Sequence, residues 1–199
     1  VREPYFLASL RRLWGSRDFR LTLMLFFCGL GMLNAVTSLT DTIAASLGVK
    51  DSDGLLGVGL IAGGVAGAIV LPLLSDRFGR RKVFLVLCMV LAVPALGALF
   101  LAPQGWYGFA IGAMALLGLA LMSAGPIGFQ YAAEVTAPVP ESASQGVLLL
   151  AGQISGLVLT AGMSAAGPRG IGWWLGGLTV AAVIMALLSL RLRESLAKG

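Results

Sequence analysis

The chain has 199 residues, of which 58% are hydrophobic and 12% charged, and its mean hydropathy is +0.93. So few charged residues cannot cover the surface of a soluble protein, and the composition is typical of an all-α protein that crosses a membrane several times. The net charge of +5 comes from basic residues that flank apolar segments, which excludes a nucleic-acid partner.

Catalytic and metal chemistry have few candidate residues in this chain. There is no histidine, and the two cysteines, Cys28 and Cys88, lie inside apolar runs without metal-ligand spacing. No nucleophile, base and metal set can be assembled from what remains. We therefore predict that the protein is not an enzyme, that it holds no cofactor or metal, and that both cysteines are packing residues.

Residues 1–20 combine basic residues with Leu7, Leu10, Leu13 and Trp14 at helical spacing. This pattern predicts an amphipathic helix or linker lying on the cytoplasmic surface of the membrane. The chain begins with Val rather than Met, so we expect it to be a fragment or a processed piece.

Six apolar runs follow, each close to the length of about 20 residues that spans roughly 30 Å of hydrocarbon. They cover residues 21–46, 55–74, 83–102, 106–127, 143–165 and 171–190. We predict a bundle of six transmembrane helices over 21–191 and a cytoplasmic tail over 192–199. The connections are short, so helices that follow each other in sequence are expected to be antiparallel neighbours.

Prolines and glycines predict how these helices bend and meet. Pro72 and Pro94 are expected to bend or end their helices. The Gly-Pro-Ile-Gly stretch at 125–128 is expected to interrupt the fourth helix and open a cavity. Glycines spaced by four predict close helix packing, or faces that slide during transport. They are Gly59, Gly63 and Gly67, then Gly152 and Gly156, then Gly172 and Gly176.

The stretch Ser75–Lys82 fixes the predicted orientation. Five of its eight residues are charged, four of them cationic, so it is expected to be a cytoplasmic loop. Each apolar run that crosses the membrane moves the next loop to the other side. With this loop inside, twelve basic residues lie on the cytoplasmic side, and only Lys50 and Arg169 lie outside. The twelve are Arg2, Arg11, Arg12, Arg17, Arg20, Arg77, Arg80, Arg81, Lys82, Arg191, Arg193 and Lys198. The positive-inside rule therefore predicts that both termini are cytoplasmic.

Polar side chains within the apolar runs are the candidates for function, because each needs a polar partner or water. In the first run, Asn34, Ser38 and Asp41 are spaced to share one helix face. Asn34 and Ser38 are candidate substrate-binding residues. Asp41 lies near the outer end of the run and is either a solvated interfacial carboxylate or a coupling residue.

Two further sites lie in the second half of the chain. Gln130 and Glu134 are spaced by four at the inner end of the fourth run. They are candidate coupling residues, although Glu134 can instead pair with a loop arginine. Gln153 is the most interior polar residue by sequence, and its amide needs partners for its donor and acceptor ends. Either a neighbouring helix or a substrate supplies them.

The stretch Ser75–Lys82 resembles the loop motif of the major facilitator superfamily, which lies between the second and third helices of each six-helix repeat. Its characteristic residues are Asp76, Arg77, Gly79, Arg80 and Arg81, whereas Pro72 stands where the motif has its first glycine. The resemblance implies that these five residues act in gating, by latching neighbouring helix ends in one conformation.

A longer stretch, 126–156, resembles the C-terminal half of the feline leukaemia virus subgroup C receptor family. The matching residues are Pro126, Gly128, Phe129, Ala132, Glu134, Thr136, Pro138, Pro140, Glu141, Ser144, Gly146, Gln153, Ile154 and Gly156. The resemblance implies one six-helix half of a twelve-helix transporter, with an absent N-terminal half as partner. It implies that Gln153 corresponds to a glutamine that faces the ligand in those members. Asn34 stands where those members have an aromatic wall, and Gln130 stands where they have a glutamate.

These observations predict a carrier that moves a small organic solute across a lipid bilayer by alternating access. The resemblance suggests a compound like choline or ethanolamine. Two alternatives stay open, namely a proton-coupled exporter of drugs or metabolites and a non-transporting membrane bundle or receptor. The compact loops favour a prokaryotic inner membrane.

Overall fold

The structure is a computed structural model that describes the backbone of residues 5–194 and the side chains of residues 9–194. The first four residues of the segment predicted at 1–20, the side chain of Leu7 and residues 195–199 of the predicted tail lie outside the described residues. Seven helices fill the described chain. They are α1 (Tyr5–Gly15), α2 (Arg17–Ser38), α3 (Thr40–Ser46), α4 (Leu55–Phe78), α5 (Arg81–Leu101), α6 (Tyr107–Thr136) and α7 (Glu141–Ser189).

Six membrane crossings result from five long apolar helices, because α7 is two spans in one. Helices α2, α4, α5, α6 and α7 are long and apolar enough to cross a membrane, and α7 has 49 residues. At Gly167 the backbone turns to φ 62° and ψ −175°, which breaks the helix into segments 141–166 and 168–189. Glycine tolerates this positive φ, and Pro168 then starts the second segment without needing a backbone donor.

The first predicted run has different boundaries in the structure. Helix α2 begins at Arg17, four residues before the predicted start at 21, because Ser16 caps it by accepting a hydrogen bond from the Phe19 amide at 3.3 Å. The run also divides at Leu39, where φ is −115° and ψ is 24°, and continues as the short helix α3. The single helix predicted over 21–46 is therefore two helices.

The interruption predicted at 125–128 is wrong, since α6 runs unbroken through Pro126 to Thr136. A proline removes only one backbone hydrogen bond, and α6 is the most buried of the long helices, so its packing offsets that loss. Gly128 serves this packing, because a Cβ at this position would collide with the Phe26 ring of α2. Pro72 and Pro94 likewise lie inside α4 and α5 and end neither helix.

Glycines bring two pairs of helices into close contact. A Cβ added to Gly63 would collide with the backbone of Ala115, and Gly67 meets Leu119 in the same way, so α4 lies directly against α6. Gly152 and Gly156 similarly seat α7 against α2. The third predicted pair is only half correct, because Gly176 meets Phe100 whereas Gly172 has open space around it.

Helix α1 is anchored to the bundle rather than lying freely on the membrane surface. The Leu13 side chain is 1% exposed and packs in a cluster that includes Phe19, Phe26 and Leu148. Trp14, the next residue, is 54% exposed. The buried Leu13 therefore holds α1 to the protein, while Trp14 lies partly exposed at the surface.

Two charged segments at the same end of the bundle have more regular structure than the sequence predicts, and they meet where the Lys82 amide donates to Glu194 Oε1 at 3.2 Å. Most of the loop predicted at Ser75–Lys82 is helical, with only Gly79 and Arg80 between α4 and α5. The predicted tail also packs on the protein, since Leu192 is buried. Next to it, the Arg193 amide donates to Asp18 Oδ1 at 3.2 Å, and the Tyr131 hydroxyl donates to the Arg193 carbonyl at 2.7 Å.

Candidate functional site

An amide pair joins α2 to α7, with Asn34 one turn before the end of α2 and Gln153 midway along segment 141–166 of α7. Asn34 Nδ2 donates to Gln153 Oε1 over 3.3 Å. Gln153 keeps its predicted position in the middle of an apolar run, and its side chain is exposed on the surface of this half. Gly152 and Gly156 lie in the contact between the two helices. Gln153, the residue after Gly152, therefore lies at the side of that contact.

The amide pair keeps free hydrogen-bonding capacity. Each primary amide has two N–H donors and an oxygen that can accept. Within the described residues, no hydrogen bond is made by the Gln153 Nε2 group or by the Asn34 Oδ1 atom. The structure thus shows a helix-to-helix hydrogen bond and leaves both side chains able to bind a polar ligand.

The other predicted residues of this face are near in sequence but are not joined to the pair. Ser38 is exposed on the last turn of α2, one turn beyond Asn34. Asp41 is exposed in the first turn of α3, beyond the break at Leu39, so the shared face predicted from helical spacing extends only as far as Ser38. The Thr37 hydroxyl instead donates to the Leu33 carbonyl of its own helix at 2.7 Å.

A second cluster joins the ends of α4, α5 and α6 through Arg81. The Arg81 side chain is 10% exposed, and its Nη1 atom donates to Asp76 Oδ1 at 2.9 Å. Its Nε atom lies 2.5 Å from Glu134 Oε1. This second contact is an ion pair without hydrogen-bond geometry, because the Nε–H bond does not point at the oxygen. Glu134 therefore pairs with an arginine next to the loop, one of the two alternatives for this carboxylate.

The remaining gating and coupling candidates lie at the surface of this half. Arg77 and Arg80 are exposed on either side of Gly79, whose φ of 61° ends α4. Gln130 is exposed one turn before Glu134 and makes no hydrogen bond within the described residues. The structure thus brings Asp76, Arg81 and Glu134 together and leaves these others apart.

Sequence reasoning missed Asp51, which joins two helices at the opposite end of the bundle. Its carboxylate accepts a hydrogen bond from the Leu56 amide at 3.2 Å, in the first turn of α4. It also accepts one from the Tyr107 hydroxyl, at the start of α6. A carboxylate shortly before a helix is a known sequence signal for the start of that helix. Asp51 and Asp53 both fit this signal, so the sequence did not distinguish them.

Near the same end, a surface cavity of about 510 Å³ opens between several helix ends, and its polar side chains are those of Ser46, Gln104 and Arg169. Gln104 Nε2 donates to the Ser46 carbonyl at 3.5 Å. Among residues 5–194, no three histidine, cysteine or acidic side chains lie together as metal ligands. The arrangement is that of a helical bundle with isolated polar sites.

Comparison with known proteins identifies the family. Residues 21–199 match the family model of the Major Facilitator Superfamily. Solute carrier family 49 member A3 of Xenopus tropicalis is 30% identical over 159 residues, which are 78% of this chain and 33% of the relative. A choline/ethanolamine transporter of Homo sapiens is 24% identical over 161 residues, covering 79% and 31%.

The length of the match differs among relatives. The chain spans about a third of the length of the two animal transporters. An uncharacterized protein of Archaeoglobus fulgidus is 27% identical over 162 residues, which are 80% of this chain and 73% of that protein. The family match and the long apolar helices make this an integral, multi-pass membrane protein. The chain therefore belongs to the Major Facilitator Superfamily and is similar to its transmembrane transporters.

Proposed function

We propose that this chain is the C-terminal six-helix half of a twelve-helix carrier that moves a small organic solute by alternating access. The observation that carries the proposal is the amide pair of the half-buried Asn34, one turn before the end of α2, and the exposed Gln153, midway along the first segment of α7. In carriers of this kind, substrate sites lie near the bilayer midplane at the interface between the two repeats. An N-terminal six-helix half is the partner that completes such a site.

The amide pair is poorly suited to face lipid. An amide group without a hydrogen-bonding partner in an apolar environment costs on the order of 2 to 7 kcal/mol. Asn34 and Gln153 satisfy only one donor and one acceptor between them. Their remaining groups therefore favour a surface that meets water, substrate or the other half.

The same groups favour a particular substrate chemistry. Amide oxygens accept hydrogen bonds from N–H and O–H donors, which ethanolamine offers at both ends. A quaternary ammonium such as choline has no N–H and is held best by aromatic faces. Asn34 stands where the similar family has an aromatic wall, and Ser38 adds a hydroxyl one turn away. We propose an ethanolamine-like solute in preference to choline.

The proposed gate is the cluster around Arg81. Asp76, Arg77, Gly79, Arg80 and Arg81 form the motif, and Arg81 ties α4 and α5 to Glu134 on α6. Separation of these helix ends requires breaking one or both ion pairs, which makes the cluster a switch between two conformations.

A proton-coupled exporter is the second candidate function, and a specific observation supports it. Glu134 pairs with Arg81 where the helix ends are joined, which places a carboxylate at the proposed gate. Asp41 is a further candidate for coupling, because it is an exposed carboxylate near the other end of the bundle, and Gln130 lies one turn from Glu134.

The proposed orientation rests on the charge distribution, and the proposed location rests on the compact loops. Twelve basic residues on one side against two on the other support cytoplasmic termini. We propose the order predicted from the sequence, with a cytoplasmic segment at 1–20, the bundle at 21–191 and a cytoplasmic tail at 192–199. A prokaryotic inner membrane remains our proposed location.

The test is solute binding to the full-length carrier, measured as thermal stabilisation by ethanolamine, choline and neutral amino alcohol analogues. Gln153→Ala should weaken ethanolamine binding by about 1 to 3 kcal/mol through loss of a hydrogen bond. Gln104→Ala is the matched control, because it removes a glutamine from the end of the bundle. Stabilisation by no solute, together with no uptake into vesicles, would favour the non-transporting bundle or receptor.

A further inference from the structure

An apolar groove lies between α1, α2 and both segments of α7. It has a volume of about 400 Å³, and its lining includes Trp14, Met24, Phe27, Cys28, Ile154 and Met185. Every lining side chain is apolar, and the set contains neither Asn34 nor Gln153. This surface, the Trp14 groove, is therefore distinct from the proposed solute site.

Three exposed arginines lie at one end of the Trp14 groove. Arg17 and Arg20 precede Met24 on α2 by seven and four residues, which places all three on one helix face. Arg11 lies three residues before Trp14 on α1 and shares its face. In the part of the chain that the structure describes, the only arginine in an ion pair is Arg81. The guanidinium groups at the groove are thus available to an anion.

The spacing between the arginines and the groove fits one leaflet of a bilayer. Cys28 lies eleven residues beyond Arg17, a distance of roughly 16 Å along the helix. One leaflet contributes about 15 Å of the hydrocarbon core. Trp14 lines the groove and is the kind of amphipathic side chain that favours the headgroup boundary.

We infer that the Trp14 groove binds one anionic phospholipid, with an acyl chain along α2 and α7 and its headgroup phosphate at Arg11, Arg17 and Arg20. The apolar lining requires a hydrocarbon occupant, and the unpaired arginines select one with a negative headgroup. Leu13 makes the site possible, because its burial holds α1 and Trp14 against the bundle. The lipid would then stabilise α1 in its docked position.

The experiment uses the full-length protein purified in detergent and supplied with phosphatidylglycerol or phosphatidylcholine, with bound lipids counted by native mass spectrometry. Phosphatidylglycerol should be retained in preference to phosphatidylcholine and should raise the melting temperature. Arg17→Gln with Arg20→Gln should weaken phosphatidylglycerol retention by roughly thirtyfold, the effect expected for two basic residues at a lipid surface. Arg80→Gln with Lys82→Gln removes the same charge from the α4–α5 connection and should leave retention unchanged.

A second pair of variants tests the groove itself. Ala151→Trp fills the groove, of which Ala151 is a lining residue, and should abolish selective retention. Leu157→Trp adds the same ring at a highly exposed position of α7 outside the groove and should not. Free glycerol phosphate should give no stabilisation, since it lacks the acyl chain.

Three outcomes would overturn the inference. Equal retention of both lipids would mean that the groove holds acyl chains without selecting a headgroup. Equal losses in the Arg17/Arg20 and Arg80/Lys82 double variants would mean that general surface charge attracts the lipid. Shielding of a cysteine at Ala151 in lipid-free protein would mean that a protein segment fills the groove. Because no solute is used, these results are independent of the proposed transport function.

Discussion

Arg81 and Glu134 form an ion pair between α5 and α6, with 2.5 Å between the Nε and Oε1 atoms. The same guanidinium group holds Asp76 at the end of α4, so three helix ends meet on one largely buried cation. Arg81 is thus the residue on which the packing of this end depends.

The two carboxylates that hold Arg81 should differ in their contributions to stability. Glu134→Gln leaves a buried guanidinium with one exposed partner and should lower the free energy of unfolding by about 2 kcal/mol, below the 3 to 5 kcal/mol of a fully buried pair. Asp76→Asn should lower it by less than about 1 kcal/mol, because Asp76 is half exposed. Denaturation of both variants in detergent provides the measurement, and equal losses would argue against the buried pair.

Asp76→Asn should nevertheless alter the conformational balance of the carrier. The substitution keeps the size of the side chain but removes the charge that holds the α4 end to Arg81. The accessibility of an introduced cysteine at Phe78 to a soluble maleimide reports this balance. Unchanged accessibility and unchanged transport would reduce the motif to a signal for topology.

Close packing of α4 on α6 predicts a large effect from a single methyl group. Gly63→Ala should destabilise the protein by about 1 to 3 kcal/mol, because its Cβ would collide with the Ala115 backbone, which cannot move away locally. Gly57→Ala, on the same helix, has nothing within 4 Å and should be neutral or slightly stabilising. Similar melting temperatures for the two variants would contradict the α4–α6 contact.

Asp51 should matter more than its neighbour Asp53. Asp51→Ala removes hydrogen bonds to the Leu56 amide and the Tyr107 hydroxyl and should cost about 1 to 3 kcal/mol of stability. Asp53→Ala makes an equal change of charge, but the Asp53 side chain only accepts a hydrogen bond from its neighbour Ser52 within the described residues. It should therefore have little effect on stability. Thermal unfolding measures both, and the Tyr107→Phe variant should reproduce part of the Asp51→Ala loss.

The proposed orientation is tested by labelling single cysteines in intact cells, in a background without Cys28 and Cys88. Cysteines at Lys50, Gln104 and Arg169 should react with a membrane-impermeant maleimide. Cysteines at Phe78 and beside Val139 should react only after the membrane is opened. Reaction at Phe78 from outside would reverse the topology predicted from the twelve cytoplasmic basic residues.

The sequence by itself determined the class of protein and its number of crossings, because an apolar run of about 20 residues in a hydrocarbon layer can satisfy its backbone hydrogen bonds only as a membrane-spanning helix. Gly63 and Gly152 were also recognisable as packing positions, since four-residue spacing of small residues is a local property. The motif around Asp76 and Arg81 led to the family in the same way. These features require only residue type and spacing.

The tertiary structure decided which residues meet, and here the sequence predictions were weaker. The sequence placed Gln153 in the middle of an apolar run, but only the contact of Gly152 and Gly156 with α2 showed that its side chain lies on the surface of this half and bonds to Asn34. Pro126 looked like a break, but packing around α6 kept that helix whole. Asp51 and Asp53 were equivalent in sequence until the position of Tyr107 distinguished them. Burial and partner choice depend on neighbours that are distant in the chain, so spacing alone could not supply them.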